Sequence, residues 1–215
     1  MNADTTLLLA IHDTMSSAFM DHFMVFVTSL TNGGFIWILL GVILFFIPRT
    51  RPMGIAVLLA IALDSILVNL VIKPIVMRPR PYQALDLSIL IADPSGSSFP
   101  SGHSSVAFAA ASAYCLTSNT KFEKRFRWFL LFWAALTTFS RLYLLVHYPS
   151  DVIAGALIGV VVAPLAIMLT DWLYRKFDKN EHDEKPRKFT ECVPEDEDSR
   201  FWEPEDGKIK NTKTS

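Results

Sequence analysis

Apolar residues in this chain gather in long unbroken runs rather than alternating with polar ones. The run at 35–47 is almost purely apolar and stops at Pro48. A second fills 53–72, interrupted by Asp64 and Asn69. A small-residue stretch, AFAAASAYC, lies within 104–116, and further runs occupy 128–146 and 152–173. Runs of this kind predict helices that cross a bilayer core of about 30 Å. The last carries Gly155 and Gly159, a G-x-x-x-G spacing that lets two helices approach closely.

The polar stretches set the organisation. Residues 1–31 are mixed: Phe19, Met20, Phe23, Met24, Phe26 and Val27 recur at helical spacing, but His12, Asp13, Asp21 and His22 interrupt them. This predicts an N-terminal helix that lies at the interface or forms a sixth span. Asn32-Gly33-Gly34 marks a turn. The expected fold is an all-α polytopic helix bundle of five spans plus that helix. Residues 32–173 form the membrane core, and 174–215 form a charged tail expected to be disordered.

Charge orients the bundle. Basic clusters fall at 48–52, at 119–127 and at Arg175-Lys176. By the positive-inside rule these ends are cytoplasmic, as is the tail. The long segment 73–103 and the turn 147–151 then share the opposite, outer face.

Composition narrows the function. Half the chain, 51%, is hydrophobic, and the net charge is −1, with no basic surplus for a nucleic-acid partner. Cys115 and Cys192 lie in segments of unlike character, so neither a disulfide nor a metal site is expected. No metal or other cofactor is expected.

Three polar clusters lie at the outer ends of the runs. Lys73 and Arg80 form K-x6-R-P with Pro81, and Pro100-Ser101-Gly102-His103 opens a helix. Ser140-Arg141, His147 and Asp151 form S-R-x5-H-x3-D. Taken alone, each has an ordinary reading. Lys73 and Arg80 would anchor lipid headgroups, Ser101 would cap a helix, and Asp151 would complement a helix dipole. Arg141 reads two ways: as a snorkelling arginine at a helix end, with His147 meeting water, or as a cation that meets an anion, since a mid-membrane arginine costs roughly 2.5–3.5 kcal/mol without a partner. If its helix continues, Arg141 sits about 9 Å below His147.

Taken together on one face, the clusters describe an oxyanion site. Lys73, Arg80 and Arg141 suit a phosphate held by charge-assisted bonds. Ser101 and the Gly102 amide add donors at a helix N-terminus. A carboxylate at Asp151 can fix one nitrogen of His147 and leave the other free to attack. Two histidines among three cations point to phosphoryl transfer through a covalent phosphohistidine. Other polar residues read as structural: Asp64 bonding a neighbouring helix, Asn69 positioning Lys73, Tyr143 and Tyr148 as interfacial aromatics. The 94–97 loop repeats P-S-G without a following apolar helix, and the apolar 85–91 stretch is expected to lie along the interface.

The three motifs resemble the signature of the type 2 phosphatidic acid phosphatase superfamily, over roughly residues 35–173. That family includes membrane lipid phosphate phosphatases, glucose-6-phosphatase and vanadium haloperoxidases. The resemblance implies His147 as nucleophile, Asp151 as its orienter and His103 as general acid. Lys73, Arg80, Ser101, Gly102 and Arg141 would bind the phosphoryl oxygens, with no metal needed. The expected function is hydrolysis of a lipid phosphate or diphosphate at the outer face of the cell membrane, with undecaprenyl diphosphate first. Phosphatidic acid, phosphatidylglycerol phosphate, lipid phosphotransfer and a non-catalytic scaffold are the alternatives. A haloperoxidase is disfavoured by the apolar spans.

Overall fold

The computed structural model describes residues 3–94 and 96–177, and among them every regular element is a helix. The N-terminal region is two helices, α1 (Ala3–Met15) and α2 (Ala18–Leu30), with Ser17 capping the second. A turn through Asn32–Gly34 leads into α3 (Phe35–Phe46), and α2 and α3 meet at a bend of 42°. After the turn at Pro48–Thr50 come α4 (Arg51–Ser65), a π-helical stretch (Ile66–Ile72) and the short α5 (Lys73–Val76) and α6 (Pro81–Leu85). Then follow α7 (Gly102–Thr117), α8 (Lys121–Tyr143) and α9 (Pro149–Phe177). The rest of the charged tail, with Cys192, lies outside the described residues.

Local chemistry sets the helix starts. Thr120 and Glu123 form a reciprocal capping box at α8: Glu123 N donates to Thr120 Oγ1, and Glu123 Oε2 accepts from Thr120 N. Pro149 opens α9, where its missing N–H costs nothing. Asp151 reaches back to the Tyr148 N–H at 2.9 Å, so this carboxylate also caps the helix.

Helix α7 is the centre of the bundle, packed by α4, α8 and α9. Its alanines make that possible: Ala107, Ala109, Ala110, Ala111 and Ala113 are wholly buried. The G-x-x-x-G expectation is met by direct backbone contact. A Cβ on Gly159 would lie 2.3 Å from Ser105 O and 2.6 Å from Ala109 N. Backbone atoms cannot yield as a flexible side chain can. Gly159→Ala should therefore destabilise the protein by about 2–3 kcal/mol, as overpacking does. Thermal unfolding in detergent checks this, and an unchanged midpoint would refute the contact.

The outer surface is apolar. On α9, Leu157, Val161, Leu165 and Met168 face outward while Val162, Ala163 and Ala166 are buried. Lipid, not water, is the solvent for such a surface.

The expected count of five spans is not confirmed. By length and composition two helical stretches qualify, Pro48–Leu85 and Pro149–Lys176, with α2 and α3 a third if the bent pair counts as one. The run at 35–47 gives only a 12-residue helix. α7 has 16 residues, short of the ~20 a straight crossing needs. α8 has 23, but charges crowd its first two turns and Arg141 sits near its end. α7 is short because it begins inside the site, where its neighbours, not lipid, surround it.

Candidate active site

One end of the bundle collects the polar motifs. The starts of α3, α7 and α9 meet there with the end of the π-helical stretch and the end of α8. The contacts that tie them are specific. Ser101 N donates to Asp151 O at 3.0 Å. A Cβ on Gly102 would lie 3.5 Å from Lys73 Nζ and 3.8 Å from Asn69 Oδ1. The bare glycine thus keeps α7's first amides open beside the lysine, and Asn69 shares that spot as expected.

Helix α8 does not continue to His147. It ends at Tyr143, and Leu145 takes a left-handed conformation at φ 58°. Val146 N then donates to Arg141 O at 3.2 Å. The expected depth of about 9 Å between Arg141 and His147 is therefore replaced by a fold-back that brings both to one pocket. That conformation is uncommon for a non-glycine residue and concentrates at functional sites.

His147 is buried in this turn. Arg80 Nη1 donates to its Nε2 at 3.2 Å and to Val146 O at 3.1 Å. His147 Nε2 is thereby the lone-pair nitrogen, and Nδ1 faces Asp151 Oδ2 at 3.8 Å. That separation is too long for a hydrogen bond, and Nδ1 has no closer partner. Burial pushes the His147 ring down to about 4; Asp151 opposes this, while the Arg141 and Arg80 charges add to it. The free site therefore holds a neutral imidazole at neutral pH.

Asp151 is fully buried and fully used. Its Oδ2 accepts from Tyr148 N and from Ser98 Oγ at 2.5 Å, and its Oδ1 accepts from Arg78 Nη1 at 2.6 Å. Arg141 is 1% exposed. Its Nη1 donates to Thr28 Oγ1, and its Nε has no partner. Ser101 is buried as the N-cap of α7 and accepts from Ser104 Oγ at 3.0 Å. His103 Nε2 lies 3.3 Å from Asn32 Oδ1, and the charges of Arg141, Lys73 and Arg80, with His147, all act on it. All eight residues singled out in the sequence thus converge.

Other residues enter from outside the motifs. Arg78, Ser98, Thr28 and Asn32 are in the site's framework. The 94–97 loop is more than a connector: Gly96 O accepts from Arg80 Nε at 3.1 Å, and Ser97 Oγ accepts from Arg78 N at 3.0 Å. Tyr143 and Tyr148 are buried, not interfacial. Tyr143 Oη donates to Asp21 at 2.6 Å, and the Tyr148 ring lies under Arg78. Asp64 does bond a neighbouring helix, through Ser105 Oγ. In the 85–91 stretch Leu87 and Ile89 pack inward under the site turn, while Leu90 is exposed.

Chemically, the pocket offers cations and helix-N-terminal amides around a neutral imidazole whose Nε2 lone pair accepts from Arg80. Known proteins resemble this chain in sequence and fold. The sequence profile of the PAP2 superfamily matches residues 53–175. An undecaprenyl-diphosphatase of Sulfolobus acidocaldarius is 31% identical over 137 residues, covering 63% of this chain and 64% of that protein. The chain thus spans just under two thirds of that relative. The undecaprenyl-diphosphatase BcrC of Bacillus subtilis is 29% identical over 156 residues, covering 72% of this chain and 77% of that one. Among solved structures, a PAP2-type phosphatidylglycerolphosphate phosphatase from Bacillus subtilis aligns with a TM-score of 0.64 at 26% identity. That alignment covers 85% of this chain and 88% of that one. Motifs, fold and profile agree: the chain belongs to the PAP2 superfamily.

Proposed function

We propose that this protein hydrolyses a lipid phosphate or diphosphate at the outer face of the cell membrane, with undecaprenyl diphosphate as the first candidate. The observation that carries the reading is His147: a buried, neutral imidazole whose Nε2 lone pair faces the Arg80 guanidinium. A phosphoryl group held by Lys73, Arg80, Arg141, Ser101 and the Gly102 amide would sit in line with that nitrogen.

In the first step the Nε2 lone pair forms a bond to phosphorus and the bond to the leaving oxygen breaks. His103 gives that oxygen a proton. Asp151 keeps the Nδ1 proton in place, and the 3.8 Å gap between them closes as the ring gains positive charge; catalytic bonds are often long before substrate binds. In the second step water attacks phosphorus and gives its proton to His103. The P–N bond breaks, its electrons return to Nε2, and inorganic phosphate leaves. The cations supply the charge stabilisation of both steps, so no metal is required.

The apolar outer surface favours a lipid whose tail stays in the bilayer. Two relatives are undecaprenyl-diphosphatases and a structural neighbour is a phosphatidylglycerolphosphate phosphatase, which supports keeping these lipids among the candidates. The outward orientation rests on the basic ends at 48–52, 119–127 and Arg175-Lys176, opposite the site.

The test is phosphate release in detergent from undecaprenyl diphosphate, phosphatidylglycerol phosphate and phosphatidic acid, each with and without EDTA. Undecaprenyl diphosphate should have the highest kcat/KM, unaffected by chelator. Release from none of them would sink the hydrolase reading, and loss on chelation would sink the metal-free mechanism. Proton titration gives an independent check. In the free protein the His147 ring should stay neutral down to pH 5, followed by NMR of labelled histidine. A midpoint at the ordinary histidine value would contradict the burial argument.

A further inference from the structure

The His147–Asp151 couple is held by residues that none of the three motifs contains. Asp151 is a fully buried carboxylate, and such a group needs a cation and hydrogen bonds to stay charged. Among the described residues the arginine that forms its ion pair is Arg78, at 2.6 Å. The guanidinium has further partners. Nη1 also donates to Ser150 Oγ at 2.7 Å, Nη2 donates to Asp4 Oδ2 at 3.0 Å, and the Tyr148 ring lies 4.0 Å from its centre. Its backbone is held as well, with Ser98 N donating to Arg78 O at 2.8 Å. Ser98 is the residue whose hydroxyl donates to the other oxygen of Asp151.

Asp4 comes from the far end of the chain, in the first turn of α1. Besides Arg78 it accepts from Ser150 N at 3.1 Å and from Ser150 Oγ. Helix α1 is anchored over the same turn: Leu8 is wholly buried against Leu145 and Tyr148, and His12 Nδ1 lies 3.1 Å from Tyr143 O.

We propose that Arg78 and Asp4 are a positioning pair for the His147–Asp151 couple. Arg78 locks the Asp151 carboxylate so that its second oxygen faces His147, and Asp4 locks Arg78 by strapping α1 across the site turn. The N-terminal helix is then part of the catalytic framework rather than only a membrane element. Neither residue touches the phosphoryl group, so both act through Asp151. The inference rests on the proposed roles of His147 and Asp151.

The charged groups that face His147 are Asp151, Arg80, Arg141 and His103, with Lys73 beyond Gly102 and Arg78 and Asp4 behind Asp151. Removing Arg78 leaves the Asp151 charge uncompensated and takes away a cation behind it. Both changes favour a protonated His147, so its midpoint moves up.

The experiment compares Arg78→Gln, Arg78→Lys, Asp4→Asn and His147→Ala in the full-length detergent-solubilised protein. Phosphate release from undecaprenyl diphosphate and phosphatidic acid is measured beside the NMR titration of labelled histidine. Arg78→Gln should lower kcat about 10–100-fold, the range for losing a residue that orients a reacting side chain. KM should stay within about threefold, and the His147 midpoint should rise by about one pH unit. Arg78→Lys should recover part of kcat and most of the midpoint. Asp4→Asn keeps the size of the side chain, and a kcat loss of about 3–10-fold with an upward midpoint shift is expected from the weaker clamp.

Equal kcat losses in Arg78→Gln and Arg78→Lys, with the midpoint unmoved, would make Arg78 a structural residue and overturn the proposal. A raised KM with kcat intact would place Arg78 on substrate and overturn it as well. The control separates the two levels. Full activity in His147→Ala defeats the proposed function itself, whereas an inactive His147→Ala beside a fully active Arg78→Gln defeats only the positioning pair.

Discussion

His147→Gln should lower phosphate release by about 10⁴-fold or more while leaving the protein folded. Loss of a covalent nucleophile is among the largest single-residue effects known, because both steps pass through the bond it makes. Glutamine can keep an acceptor near Arg80 Nη1, which now donates to His147 Nε2 at 3.2 Å. It cannot carry a phosphoryl group. The unfolding midpoint should stay close to that of the parent protein, since the replaced ring has no hydrogen bond at Nδ1 to lose. A scaffold that merely retains an anion site would show no release in either protein. A phosphatase with another nucleophile would lose only a small factor, and that outcome would require a different mechanism.

The second large effect concerns Arg141. Its guanidinium is 1% exposed, with Thr28 Oγ1 on Nη1 and nothing on Nε. Among the described residues no carboxylate forms an ion pair with it. Such a cation is costly in the free protein and is compensated when an anionic phosphoryl group arrives. Arg141→Met should therefore raise stability by about 1–4 kcal/mol, the gain seen when buried charge gives way to a packed apolar side chain. It should also cost about 10²–10³-fold in kcat, as loss of one preorganised donor does. Stability and activity moving in opposite directions is the signature to seek. A less stable Arg141→Met protein would mean that the cation serves the fold.

Much of this site was legible in the sequence because its chemistry is local. K-x6-R-P, P-S-G-H and S-R-x5-H-x3-D each place their residues within one helix end or turn, and the basic ends place those turns on one face. What was not legible depends on tertiary geometry. Arg78 sits two residues from Arg80 in R-P-R-P, and only the spacing to Lys73 singled out the latter. Its role appears once Asp4 and Asp151, 147 residues apart in sequence, meet on its two nitrogens. The depth between Arg141 and His147 was misjudged because an apolar run hides a helix end. L-L-V reads as continuing helix, whereas Leu145 turns the chain back. The count of five spans is likewise not confirmed. Hydrophobicity cannot separate a helix that meets lipid along its length from α7, whose alanines are buried by other helices.

The central claim is the covalent intermediate, and base-quenched turnover tests it most directly. The purified protein is mixed with undecaprenyl diphosphate labelled with ³²P at the terminal phosphate, quenched within milliseconds and digested for mass spectrometry. The account predicts an alkali-stable, acid-labile label on His147 at Nε2, absent from His147→Gln and accumulating in His103→Ala when the leaving group needs no proton. Steady phosphate release with no label on His147 at any quench time, or label on another residue, would contradict it.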